Sequence, residues 1–198
     1  MTYVNTSELV LNGDFETGDT TFWTKGGITS QTVTDEDYKI GKYSLLLGDP
    51  DDQSVQIGIN WAWQLISIPI TATSSTLTLW YRFKSYDDKA TSHIKVYIRD
   101  SNGNNLERIL YDGYTGGSPG YHDLGWKQKI YDATPYIAYF GGIQIYIEVT
   151  DGNGNPGSKT CANIDAVSLP ITTTEIGDTA PALKQNVGSS VMLVNNII

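Results

Sequence analysis

Two short stretches hold residue types whose spacing suits chemistry. Asp14 and Glu16 flank Phe15 in Asn12-Gly13-Asp14-Phe15-Glu16, so an extended segment turns both carboxylates to one face and sends Phe15 the other way, toward a core. Oxygen ligands then stand beside an edge. Trp61 and Trp63, also two apart, share one face of a strand over residues 61–68, and Ala62 and Gln64 take the other. Either both indoles are buried, or both form a flat platform on which the C–H faces of sugar rings stack. In the second case Arg82, Gln56, Gln64 and Asn60 are the planar partners for sugar hydroxyls. A third group rides on a loop: Tyr111, Tyr114 and Tyr121 lie in a Gly-rich run over residues 111–123, longer than a hairpin needs. Such tyrosines serve either recognition or packing beneath a surface excursion.

Catalytic chemistry has little to stand on. The chain has only two histidines, His93 in an alternating run and His122 in the Gly-rich loop, which form neither a three-His zinc site nor a Ser/His/Asp order. No Gly-rich phosphate loop follows a strand and opens a helix. The acids Asp87-Asp88 and Asp49-Pro50-Asp51-Asp52 would make a glycosidase pair only at a fixed separation across a cleft, and are read as solvated loop acids. The loops at 100–105 and 151–157 begin like calcium loops, with oxygens two residues apart. Their twelfth positions are Tyr111 and Ala162 rather than a bidentate acid, so both are read as hairpin turns. The expectation is a protein that is not an enzyme.

Composition sets the frame. A length of 198 residues, 39% hydrophobic and 11% aromatic, suits one large all-β domain. The balance of 13 basic against 22 acidic residues gives a net charge of -9, which opposes a polyanion unless a basic patch is locally segregated. Lysines and arginines are scattered along the chain, so nucleic acid is not an expected partner. The single Cys161 excludes an intrachain disulfide and reads as a small buried apolar residue. There is no run of eighteen apolar residues, hence no expected spanning helix. The first residues lack the regions of a secretory signal. Either a signal lies outside this chain, or the protein reaches its workplace without one, as virion proteins released by lysis do.

The elements that position these groups read as strands. Alternating β-branched and aromatic runs recur at 44–47, 55–59, 61–68, 77–83, 93–99, 106–111, 126–131 and 143–149, separated by Gly, Asn, Asp and Pro, with almost no helical periodicity. They predict two antiparallel sheets packed face to face. In the last run Ile143, Ile145, Ile147 and Val149 face the core, leaving Gln144, Tyr146 and Glu148 on the other face. After Pro170 the texture changes. Thr172-Thr173-Thr174 and residues 177–181 read as linker, and 187–198 as an apolar segment in search of a partner surface. The expected division is a sandwich over 1–170 and a linker with apolar tail over 171–198.

Four phrases also stand in a familiar order: Asn12-Gly13-Asp14-Phe15-Glu16 with Trp23 beyond it, Gly41-Lys42-Tyr43-Ser44-Leu45, Leu77-Thr78-Leu79-Trp80-Tyr81-Arg82, and Asn163-Ile164-Asp165-Ala166-Val167-Ser168-Leu169. Together they resemble the calcium-binding β-sandwich carbohydrate-binding modules and the wider galactose-binding-like jelly rolls, over roughly residues 8 to 170. The resemblance implies a jelly-roll β-sandwich with Trp23, Trp80 and Trp126 in structural roles. It also implies a Ca2+ ion held by the Glu16 side chain, the Asp165 side chain and carbonyl, and the backbone carbonyls of Asp14, Ile40 and Tyr43, an all-oxygen set that suits calcium. The expected function is non-catalytic binding of a polysaccharide or other glycan on an extracellular or virion surface, through Trp61, Trp63, Arg82, Tyr111, Tyr114 and Tyr121. The rival expectation is a structural subunit, a capsid decoration protein or filament protomer, that uses the same fold and its tail to build a homo-oligomer or larger assembly.

Overall fold

The computed structural model describes residues 2–29, 31–50, 57–87, 90–116, 120–152 and 159–176. Among these the chain forms β1 (Thr2–Glu8), β2 (Thr24–Gly27), β3 (Thr32–Thr34), β4 (Ser44–Asp49), β5 (Gly58–Ile66), β6 (Ala72–Ser85), β7 (His93–Asp100), β8 (Asn105–Asp112), β9 (His122–Asp132), β10 (Ile143–Asp151), β11 (Thr160–Ser168) and β12 (Pro170–Ile176). A single turn of 3-10 helix, Thr134–Tyr136, separates β9 from β10. One sheet has the order β2-β5-β10-β7-β8. The other has β1-β12-β6-β11-β4-β3, with β9 also paired to β6. The pairings are antiparallel, and the long β6 is shared: β11 takes its C-terminal part and β12 takes Ala72, Ser74 and Ser75. The all-β, two-sheet sandwich follows from period-two alternation, which gives every strand one apolar face to hide.

The core lies between the sheets. Ile94, Val96, Ile98, Ile143, Ile145, Ile147 and Val149 meet Leu45, Leu47, Leu77, Leu79, Phe83, Ala162 and Ile164, all essentially fully buried. Polar bonds close one flank of this layer. Asp112 on β8 accepts from the Tyr81 hydroxyl and Lys127 Nζ, both at 2.8 Å, and Glu107 accepts from the hydroxyls of Tyr131 and Tyr136. The opposite sheets are thereby joined through groups whose hydrogen-bonding capacity is satisfied. Cys161 is buried, and burial pushes its thiol up to about 12, so no reactive thiolate stands here near neutral pH. The loop at 100–105 is a hairpin closed on itself: Asp100 accepts from the amides of Asn102 and Asn104 and from the Asn104 side chain. The matching loop at 151–157 falls largely outside the described residues, as do Asp51, Asp52, Gln56 and Asp88.

Three expectations change in this frame. The expected linker begins too early. Thr172, Thr173 and Thr174 belong to β12, which pairs with β1 over seven residues and with β6, and Ile171 is buried. The threonines looked like linker because their partner is the distant first strand. Trp80 and Trp126 sit on the outer face of the larger sheet rather than in the core. Each is half-buried, Trp80 under Lys39 Nζ at 4.3 Å and Trp126 opposite Arg82. Asp14-Phe15-Glu16 is not extended: Phe15 has φ 57 and lies in a turn, yet it is still fully buried with the acids outward. Among the described residues no helix is long and apolar enough to cross a membrane. Because β12 buries Ile171 and carries β1, a chain ending at Pro170 is expected to melt well below one ending at Ile176. Exposing Ile171 alone costs about 1.5–3 kcal/mol, and thermal melts of the two truncations check it.

Candidate functional site

The first constellation is a clamp at one corner of the larger sheet. Asn12 adopts φ 49, and the Gly13 carbonyl accepts from the Val167 amide at 2.8 Å, fastening the N-terminal segment to β11. A Cβ on Gly13 would lie 1.9 Å from the Val167 carbonyl oxygen, so only glycine permits this approach. Asn12 is fixed from both sides: its carbonyl accepts from the Trp23 indole at 3.0 Å, and its side-chain amide donates to the carbonyls of Asp19 and Thr21. Phe15 packs on Trp23 with ring centroids 5.6 Å apart. On β11 the register shifts between Asp165 and Ser168, and Ala166 takes φ 47.

This clamp brings Glu16 and Asp165 to the same loop, although they are far apart in sequence. Asp165 Oδ2 accepts from the amides of Lys39 and Ile40 at 2.7 and 2.9 Å, and its Oδ1 from Ala166 at 2.6 Å. Glu16 Oε1 accepts from the amides of Lys42 and Tyr43, each at 2.8 Å. Gly41 lies between the two grips with φ 74, and a Cβ there would sit 2.4 Å from Glu16 Oε1. The amides hold the Glu16 carboxyl below its ordinary value. Burial pushes Asp165 up, and the negative charge of Glu16 adds to the push against the three amides. No ion pair reaches either carboxylate among the described residues, and Lys42 Nζ donates instead to the Tyr43 hydroxyl. Asp14 is exposed and accepts from the Glu16 amide at 3.3 Å. Among the described residues no three His, Cys, Asp or Glu side chains converge as a metal set, so any cation here would draw on two acids and on carbonyls.

The second constellation covers the outer face of the five-stranded sheet. In β5 the inward residues are Asn60, Ala62, Gln64 and Ile66, which turns Trp61 and Trp63 outward, both half-buried. Register then lines up two rows. Gly26, Trp61, Glu148, Lys95 and Tyr111 follow one another across β2, β5, β10, β7 and β8, and Thr24, Trp63, Tyr146, Tyr97 and Arg108 form the next row. Trp61 stacks on Tyr146 at 6.1 Å and 24°. Glycine at 26 makes room for the indole, since a Cβ there would meet the Trp61 ring at 2.5 Å. Tyr146 is covered by the Arg99 guanidinium, 3.1 Å from its ring centroid, and Lys95 Nζ lies 3.3 Å from Glu148. Beyond Trp63 a depression of ≈ 380 Å³ continues the face, lined by Leu9, Leu11, Phe22, Thr24 and Leu65 among others.

Of the expected sugar ligands, Trp61, Trp63 and Tyr111 come together on this face. Arg82 does not join them. It lies on β6 in the other sheet, bonded to Asp37 at 2.9 Å and to Asp123, whose carboxyl it holds below the usual range. Tyr114 stacks flat on His122, and Tyr121 packs against Tyr86 at 5.1 Å, so both serve the β8–β9 connection. Asn60 and Gln64 point inward and are spent on Thr29 and Gln31 and on the backbone of Leu11. Tyr146, Tyr97, Arg99 and Arg108 were not foreseen as site residues. Alternation at 93–99 and 143–149 placed Tyr97, Arg99 and Tyr146 outward, but nothing in one strand announces that its neighbours align. Arg108 had no such signal.

No protein-family profile matches the chain, and no curated protein sequence does. Solved structures do. TmCBM61, a carbohydrate-binding module in complex with β-1,4-galactotriose, superposes with TM-score 0.58 at 18% identity, covering 82% of this chain and 97% of the module. The enzymatically active domain of tailspike protein 4 of bacteriophage CBA120 gives TM-score 0.51 at 14% identity, over 83% of this chain and 21% of that one. The K3 cleaved adhesin domain of Lys-gingipain from Porphyromonas gingivalis gives 0.50 at 21%, over 82% and 99%. The chain thus has the β-sandwich fold of these proteins, and carbohydrate-binding modules are among its structural neighbours. At these identities the likeness speaks for fold.

Gly41 tests the geometry of the clamp. Gly41→Ala forces a Cβ into Glu16 at a left-handed position, and is expected to cost about 1–3 kcal/mol, read as a lowered denaturation midpoint. An unchanged midpoint would mean that the loop at 39–43 does not grip Glu16 in this way.

Proposed function

We propose that this protein is a non-catalytic glycan-binding module acting outside the cell or on a virion surface, and that its binding surface is the outer face of the five-stranded sheet. The observation that carries this reading is the two-row alignment of Trp61, Trp63, Tyr146, Tyr97 and Tyr111 on one face, with Glu148, Lys95 and Arg108 in the same rows and Arg99 over Tyr146. Aromatic planes offer apolar area for the C–H faces of pyranose rings, and the charged groups between them offer donors and acceptors to hydroxyls. The side chains are held by stacking and by the Lys95–Glu148 pair, so ordering them on binding loses little entropy. Histidines do not contribute: His93 is buried against Tyr111, and His122 is stacked on Tyr114.

The same reading includes a calcium ion at the clamp, with Glu16 and Asp165 as its side-chain ligands and the carbonyls of Asp14, Ile40, Tyr43 and Asp165 completing an oxygen shell. Support comes from the donor chemistry: two carboxylates share one loop, one of them fully buried, and among the described residues neither forms an ion pair. A divalent cation would supply that charge and tie the N-terminal turn to β11. A second reading, a virion or filament subunit, is favoured by one feature. Among the described strands β1 pairs only with β12, leaving a sheet edge that carries exposed Tyr3 and Val4.

Affinity electrophoresis with β-1,4-galactan and a panel of other polysaccharides tests the face. Trp61→Ala and Trp63→Ala are expected to abolish retention with melting temperatures near that of the parent, whereas Trp23→Ala, in the core, costs about 3–5 kcal/mol. Unchanged retention in both variants, or particles and filaments without glycan binding, favours the structural subunit.

The ion is tested separately by melting. Chelation is expected to lower the melting temperature and calcium to restore it, by about 2.7 kcal/mol at a hundredfold excess over the dissociation constant. Glu16→Gln and Asp165→Asn should remove the difference. Protein free of metal by elemental analysis yet indifferent to added calcium would end the proposal.

A further inference from the structure

We infer that the glycan bound on this face is anionic, a polysaccharide carrying uronate carboxylates or sulfate esters. The inference rests on the reading of the five-stranded sheet as the binding surface, and it comes from how charge is distributed over the two sheets. The chain is acidic, at net charge -9, and has only three arginines. Two of them, Arg99 and Arg108, stand on this face, and neither makes an ion pair with a carboxylate among the described residues. The third, Arg82, is on the other sheet and is neutralised by Asp37 and Asp123. Lys95 adds a third cation to the face against a single aligned acid, Glu148, with which it pairs. The face is therefore a segregated basic patch on an acidic protein, and a basic patch is what lets such a chain accept a polyanion.

Both free arginines are placed rather than loose. The Arg99 guanidinium lies over the Tyr146 ring, 3.1 Å from its centroid, and its Nε donates to Asn105 Oδ1 at 2.7 Å. Arg108 owes its position to an irregularity. Regular alternation would send Arg108 and Tyr111, three apart, to opposite faces. In β8, however, Val96 pairs with Leu110 and Tyr97 with Arg108, so Ile109 is the extra residue and is buried. The bulge returns Arg108 to the outer face, where its guanidinium is 4.9 Å from the Tyr111 ring centroid and Lys95 Nζ is 5.8 Å from the same ring. Cations resting on aromatic rings beside a stacking platform suit a sugar ring that bears an anionic substituent, because a guanidinium matches the two oxygens of a carboxylate or sulfate.

The test compares retention of the full chain on hyaluronan, dextran sulfate and neutral β-1,4-galactan by affinity electrophoresis, alongside Arg99→Gln and Arg108→Gln. The expected result is binding of at least one charged polysaccharide about tenfold tighter than galactan. Each arginine variant should lose about tenfold of it, the scale of one charge-assisted hydrogen bond, with unchanged melting temperature. Preference for hyaluronan assigns the anion as carboxylate, and preference for dextran sulfate as sulfate ester. No retention on either, or retention of charged and neutral polysaccharides alike in parent and variants, would overturn the inference while leaving the platform standing if Trp61→Ala still abolishes galactan binding. If Trp61→Ala changes retention on none of the three, it is the platform itself that fails.

Discussion

The contact on which most else depends is the Gly13–Val167 approach. A single backbone hydrogen bond, possible only where residue 13 lacks a Cβ, holds the N-terminal turn against the kinked end of β11. From that point two side chains leave in opposite directions. Phe15 enters the core against Trp23, and Glu16 reaches the loop that also receives Asp165. Core packing and the carboxylate pair are thus two consequences of one turn. Positive φ at Asn12, Phe15 and Ala166 marks the conformational cost, sustained because the surrounding bonds over-determine the shape.

The two sheets handle their outer faces differently. On the larger sheet, charges are closed on themselves: Arg82 and Lys84 share Asp37, Arg82 also takes Asp123, and Lys39 covers Trp80. Such a face presents little unsatisfied charge to a ligand. On the smaller sheet Lys95 pairs with Glu148, while the Arg99 and Arg108 guanidinium groups lie against aromatic rings. Among the described residues neither Arg99 nor Arg108 is paired with a carboxylate, and the rings lie against both. The asymmetry gives a binding reading to one face and a structural reading to the other, although both are built from the same alternating strands.

Rigidity of the smaller face comes from below. Ile143, Ile145, Ile147 and Val149 are buried under Gln144, Tyr146 and Glu148, and β10 is hydrogen-bonded on both edges, by β5 and β7. A central strand so fixed cannot slip by one residue without exchanging core and surface, so the aromatic rows are as well specified as the core itself.

What the sequence determined by itself was periodic or local. Alternation in 77–83, 93–99 and 143–149 set strands, faces and the two-sheet class, because side chains in a strand point to alternate sides whatever their partner. The shared face of Trp61 and Trp63 was legible for the same reason, whereas Asp14, Phe15 and Glu16 take their directions from a turn at positive φ and not from a strand. Tertiary structure decided what depends on register between distant strands. It put Tyr146 beside Trp61 and aligned Lys95 with Glu148. It took Arg82 to the opposite sheet and turned Thr172 to Thr174 from an apparent linker into a strand paired with β1. Bulges were equally invisible. One extra residue at Ile109 changes the face of Arg108, and its cause lies in how β8 meets β7, which no reading of β8 alone contains.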